Sequence, residues 1–111
     1  MKLVILFLSL LTFSMAVNFK VTAFYPQNQL KSPLFLRGSG CGLSWTTGIK
    51  MTQVSSDQWE SSLNCVRNEQ TLDLKVLIGD STWMIGANQV VSVSESSATM
   101  YPWFKQTEGT F

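Results

Sequence analysis

Apolar and polar side chains alternate most regularly over Thr71–Ile78, where Leu72, Leu74, Val76 and Ile78 share one face and Asp73, Lys75 and Leu77 the other. A two-residue period of this kind predicts a β-strand with one face turned to a core. Phe19 to Tyr25 alternates in the same way, with Phe19, Val21 and Ala23 together. Further short runs rich in Val, Ile, Phe, Trp and Thr predict strands over Pro33–Arg37, Ile49–Val54, Gln58–Leu63, Thr82–Ile85 and Val90–Ser94. Pro26-Gln27-Asn28, the glycine-bearing loop Gly38–Gly42, Ser55-Ser56-Asp57 and Gly79-Asp80-Ser81 separate them as turns. The mature sequence carries almost no helical period, so nothing is available to cross over between parallel strands. The pattern predicts an all-β fold, an antiparallel immunoglobulin-like β-sandwich of about seven or eight short strands.

The N-terminus follows a different rule. Lys2 precedes an apolar run from Leu3 to Phe13, and Ser14 and Ala16 place small residues where a signal peptidase reads. This is the pattern of a cleaved secretory signal over residues 1–16, the run being short of the ~20 apolar residues of a membrane span. A membrane anchor or a buried N-terminal helix is the competing reading, and the strand-like VNFKVTAFY that follows argues against it. The expected organisation is a signal peptide over 1–16, a sandwich over 17–99 and an aromatic, then polar tail over 100–111. Removing Lys2 with the signal leaves the mature domain with equal numbers of basic and acidic side chains, against 8 and 7 in the whole chain. Composition therefore offers nothing to a polyanion, and nucleic acid is not an expected partner. Secretion also decides how Cys41 and Cys65 are read. They are the only 2 cysteines, the export route is oxidising, and a small domain gains from a covalent staple, so they are expected to pair. A metal site is the weaker alternative, because the chain has 0 histidines and no further cysteine.

Four tryptophans remain to be placed: Trp45, Trp59, Trp83 and Trp103. Trp59 lies between polar Gln58 and Glu60, so its ring is expected to point inward as a structural aromatic. Trp45 and Trp83 stand in LSWTTG and DSTWMIG, beside the small polar residues of strand ends and loops. Lys75 falls opposite the Leu72/Leu74/Val76/Ile78 stripe, which leaves its ammonium outside the core. An exposed indole offers a flat apolar face to the C–H face of a pyranose, while a lysine and an asparagine such as Asn88 supply donors and an acceptor for its hydroxyls. These residues are also common decoration of hairpin turns.

Their order adds a family likeness. The run LFLRGSGCGLSWTTGIKM, then Trp59, then LDLKVLIGDSTWMIGAN resembles the family 20 carbohydrate-binding modules, the starch-binding domains of amylolytic enzymes. Gly42-Leu43-Ser44-Trp45 stands at the family's Leu-Gly-x-Trp-like turn, and Leu74-Lys75-Val76 at its lysine strand without the aromatic neighbours. Trp83 and Asn88 keep the family's interval between tryptophan and asparagine. The likeness runs from about Val17 to Ser94 through short, degenerate motifs. It implies a first glucan site made of Trp45, Lys75, Trp83 and Asn88, with Trp59 at the mid-domain tryptophan that helps hold the fold. The tyrosines of the family's second site have no counterpart between Gly38 and Trp59, and the Cys41–Cys65 pair and YPWF tail also depart from the pattern.

Catalysis finds no support. Without histidine no Ser-His-Asp or Cys-His arrangement can be drawn. The carboxylates read as turn formers (Asp57, Asp80) or solvated charges (Glu60, Glu69, Asp73) rather than as a glycosidase pair. No cofactor and no metal are expected. The expected function is a secreted, extracellular, non-catalytic polysaccharide-binding module of starch or glucan type, with no membrane contact after signal cleavage. Two alternatives stand beside it: a secreted protein-interaction sandwich whose aromatic patch meets a protein partner, and an accessory domain of a secreted hydrolase or esterase, covalently linked in longer relatives.

Overall fold

The computed structural model describes residues 16–26, 32–66 and 68–104. Residues 1–15 and 105–111, which hold most of the expected signal and tail, and the turn residues Gln27 and Asn28 lie outside them. In chain order the strands are β1 (Ala16–Phe24), β2 (Leu34–Ser39), β3 (Ile49–Lys50), β4 (Thr52–Ser55), β5 (Gln58–Val66), β6 (Thr71–Ile78), β7 (Thr82–Trp83), β8 (Gln89–Ser92) and β9 (Ser97–Met100).

Two sheets form. One has the order β4-β5-β1-β9; in the other β3 pairs β2, β2 pairs β6, and β7 and β8 share the remaining edge of β6. Every pair is antiparallel except β1 with β9, which is parallel. The inward positions follow the alternation: Phe19, Val21 and Ala23 of β1, Trp59, Leu63 and Cys65 of β5, Leu34 and Leu36 of β2, and Leu72, Leu74, Val76 and Ile78 of β6 are all buried in one cluster. The fold is the predicted antiparallel-rich β-sandwich. Trp59 is 5% exposed within this core, as expected of a structural aromatic. Its Nε1 and the Ser61 hydroxyl are buried without a hydrogen-bond partner among the described residues.

Several details depart from the sequence reading, among them the expected strands Thr82–Ile85 and Val90–Ser94, which stop at Trp83 and Ser92, with Val93–Glu95 forming a 3-10 turn. The expected strand Ile49–Val54 is two strands in two sheets. Ile49–Lys50 pairs with β2 and Thr52–Ser55 with β5, and Met51 between them is buried while its N–H donates to the Leu34 carbonyl at 2.9 Å. A single buried methionine thus carries the chain from one sheet to the other. Gly38 and Ser39, expected in a loop, continue β2 opposite Leu74 and Asp73. Finally, Ser97–Met100 is a strand the alternation did not reveal, because its four residues SATM hold only two apolar side chains, Ala98 and Met100, too few to mark a period. After it the chain packs back, burying Pro102 and Phe104 while leaving Tyr101 and Trp103 72% and 60% exposed. Tyr25 meets Phe104 edge to face at 5.3 Å, and Phe24 stacks with Tyr101 at 5.5 Å.

Cys41 and Cys65 form a disulfide. Glu69, expected as a solvated charge, closes the same corner. Its two carboxylate oxygens accept from the backbone N–H of Cys41 and of Val66, each at 2.9 Å. Among the described residues, no helix is long and apolar enough to cross a membrane.

Candidate functional site

The outer face of the β2–β6 sheet carries the residues of interest. Alternation turns Arg37 and Lys75 away from the core, and the ladder places them directly opposite one another. Like charges facing across a strand pair are destabilising unless something else engages them. Here each has a separate commitment. Arg37 donates from Nε to Asp80 Oδ1, from Nη2 to the Asp80 carbonyl and from Nη1 to the Trp45 carbonyl, all at 2.9 Å. Lys75 Nζ donates to the Met84 carbonyl at 3.2 Å. Both cations also lie against one ring: Arg37 Cζ is 5.2 Å and Lys75 Nζ 5.9 Å from the centroid of Trp83, within the range of cation–π attraction.

Trp83 reaches this position because β7 pairs with β6, setting Trp83 opposite Leu77. Leu77 is fully buried yet lies outside the inter-sheet core cluster. Its ladder neighbours on the outer face are Phe35 and Trp83, so a small apolar floor lies beneath the tryptophan. Trp83 itself remains 41% exposed.

Trp45 comes from the loop between β2 and β3. The loop is pinned at its start by Gly38 N–H donating to the Ser44 carbonyl at 3.2 Å and by the Cys41–Cys65 bond. Ser44 Oγ accepts from the Thr46 N–H at 3.0 Å. At its end, Gly48 N–H donates to Asp80 Oδ2 at 3.1 Å. A Cβ on Gly48 would collide with that carboxylate, which explains a glycine at this point. The result sets the Trp45 and Trp83 rings side by side, centroids 6.2 Å apart and planes inclined by 35°.

Asp80 is therefore more than the expected turn former. It does occupy the turn, at φ 59°, a left-handed conformation Asp tolerates better than most residues. Its carboxylate is also held below the ordinary range, chiefly by the hydrogen bond from Arg37 and also by the Gly48 N–H.

Asn88 is exposed in the segment between β7 and β8, where pairing with β6 is interrupted. Its successor Gln89 faces Leu74, so Asn88 is the next residue in the direction of Lys75. The structure thus brings together Trp45, Lys75 and Trp83 and sets Asn88 on the same sheet edge. Arg37 and Asp80 were not anticipated as parts of this arrangement. The available signal for Arg37 was its place in PLFLRG: with Leu34 and Leu36 inward, the arginine had to emerge on the face that Lys75 occupies. Nothing in the sequence pairs Asp80 with it. Trp103 lies nearby in backbone terms, its carbonyl accepting from Ile85 N–H at 2.9 Å, but it forms no ring pair with Trp45 or Trp83 among the described residues.

The arrangement can present two aromatic faces with donors at their rim. Lys75 has three ammonium protons and spends one on Met84. The guanidinium of Arg37 is occupied by Asp80 and Trp45. Comparison with protein-family models finds no match to this chain, and comparison with curated proteins finds none either.

Proposed function

We propose that this protein is a secreted, non-catalytic module that binds polysaccharide of glucan type, akin to the starch-binding modules its tryptophan, lysine and asparagine spacing resembles. The observation that carries the reading is the adjacent, partly exposed pair Trp45 and Trp83, 6.2 Å apart. Sugar rings stack on the two indoles, and the 35° inclination of the planes suits a bent chain better than a flat one. Lys75 donates its remaining protons to hydroxyls, and Asn88 supplies a donor and an acceptor from the same edge. The Cys41–Cys65 disulfide is in keeping with an extracellular destination.

The test is retention on insoluble starch, cellulose and chitin, comparing wild type with Trp83→Ala and Trp103→Ala. Retention on starch that is lost with Trp83→Ala and kept with Trp103→Ala supports the reading. Equal loss in both variants marks indiscriminate aromatic adhesion. Retention on none of the three polymers overturns the glucan reading and favours a protein partner for the same aromatic pair.

A further inference from the structure

Arg37 reaches the segments that carry both indoles of the proposed platform with one side chain. Its Nη1 holds the backbone carbonyl of Trp45, and its Nε and Nη2 hold Asp80 in the turn that precedes Trp83. The guanidinium carbon Cζ lies over the Trp83 ring, 5.2 Å from its centre. These contacts join two loops distant in sequence, Gly40–Gly48 and Gly79–Ser81, and Asp80 closes the circuit by also binding Gly48 N–H. Partly exposed rings otherwise have several rotamers open to them, and ordering them on binding weakens affinity.

We propose that Arg37 is a positioning residue that locks the Trp45 and Trp83 rings into one fixed pair before ligand arrives, and so sets the affinity of the platform. The ligand half of the proposal rests on the glucan reading; the ring-locking half does not. An arginine is required because the task needs a planar fork. Three in-plane donations leave the flat face free to stack on indole, whereas a lysine ammonium could satisfy one or two of the acceptors and none of the stacking geometry. Asp80 completes the device by aligning the fork through a charge-assisted bond.

Two indoles this close couple their transitions, so the locked pair should give a bisignate band in circular dichroism without any ligand. Trp45→Phe and Trp83→Phe should each abolish the band and so assign it. Arg37→Lys is expected to flatten it while the chain stays folded, and to weaken binding to soluble starch roughly tenfold. Asp80→Asn keeps a side chain compatible with the left-handed turn and should give a partial loss of both; it serves in place of Arg37→Lys if that variant does not fold. A merely structural Arg37 would lower the melting temperature and leave band and affinity untouched below it. The proposal is overturned if wild type shows no couplet, if Arg37→Lys keeps the full couplet, or if the couplet is lost with affinity unchanged. Wild type that shows the Arg37-dependent couplet but binds no polysaccharide refutes the glucan reading alone.

Discussion

Leu77 and Trp83 face each other across β6 and β7, and Leu77 is completely buried although it lies on the side of the sheet away from the core. Trp83 is therefore both a candidate ligand surface and part of a small apolar cluster with Leu77 and Phe35. Leu77→Ala should cost about 2–4 kcal/mol in denaturant unfolding, as for a core leucine rather than a surface one. Trp83→Ala should lose stability as well as binding, so its unfolding midpoint has to be measured beside its affinity. A Leu77→Ala loss under ~0.5 kcal/mol, the range of ordinary surface changes, would mean that this second apolar cluster contributes little.

Gly38 sits opposite Leu74 in the β2–β6 ladder, and a Cβ there would run into the Asp73 carbonyl. Backbone in a central strand pair has little room to yield. Gly38→Ala is expected to destabilise by about 1–3 kcal/mol or more, lowering the melting temperature by roughly 4–8 °C per kcal/mol for a domain of this size. Gly42→Ala makes a contrast, because nothing surrounds that position within 4 Å, although its φ of 81° still disfavours a side chain.

Stability should fall in acid partly through Asp80. The Arg37 hydrogen bond holds its folded-state pKa below the ordinary value of 3.8. A depressed carboxylate stabilises the fold above the unfolded pKa, and the contribution is lost as pH falls through the folded one. Wild type should therefore lose more stability than Asp80→Asn between about pH 5 and pH 2, with the two converging at the acid end. Parallel curves over that window would show that the ion pair does not couple to folding.

Opening the Cys41–Cys65 bond frees the corner from which the Trp45 loop departs. The Cys41→Ser, Cys65→Ser double variant should be less stable by about 2–4 kcal/mol on the chain-entropy account. Glu69→Gln, which weakens the carboxylate grip on the Cys41 and Val66 N–H groups, should cost about 1 kcal/mol. Guanidinium unfolding with and without reductant measures both. Wild type that unfolds at the same midpoint in either condition would contradict the first expectation.

Binding to a neutral glucan should vary little with ionic strength, since Arg37 is already paired with Asp80 and stacking is not screened. Trp45→Ala and Trp83→Ala should each weaken it by about 1–3 kcal/mol if the rings act as interface anchors. Titration calorimetry at low and high salt separates the cases. A steep loss with salt would indicate an anionic ligand drawn to Lys75.

Legibility followed the strength of the two-residue period. β6 was readable to its end residues because four inward aliphatics in a row leave no other register. β9 was not, since Ala98 and Met100 are too few to mark a period, and its partner β1 lies far away in sequence. The sheet change at Met51 was equally hidden: a methionine between two short strands reads as one continuous strand until both ladders are known. For the site, alternation established that Lys75 points outward and the loops suggested exposed tryptophans. The Arg37–Asp80 pair spans 43 positions, and no local pattern connects them: the β2–β6 register sets Arg37 opposite Lys75, while Asp80 lies in the turn beyond the end of β6. Glu69 was misread for the same reason: Cys41 lies 28 positions away and is held beside Glu69 by its disulfide to Cys65, the neighbour of Val66.

The parallel pairing of β1 with β9 has a mechanical consequence. Lys20 lies beside Ser97 and Ala23 beside Met100, so the chain enters the pair at one pole of the sandwich and leaves at the other. A force pulling Val17 and Met100 apart loads the rungs between these strands together, in shear, instead of peeling them open in succession. The outer face with Trp45 and Trp83 belongs to the other sheet and stays outside that load path. Tension along the backbone would be borne by one sheet while the aromatic pair on the other keeps its geometry.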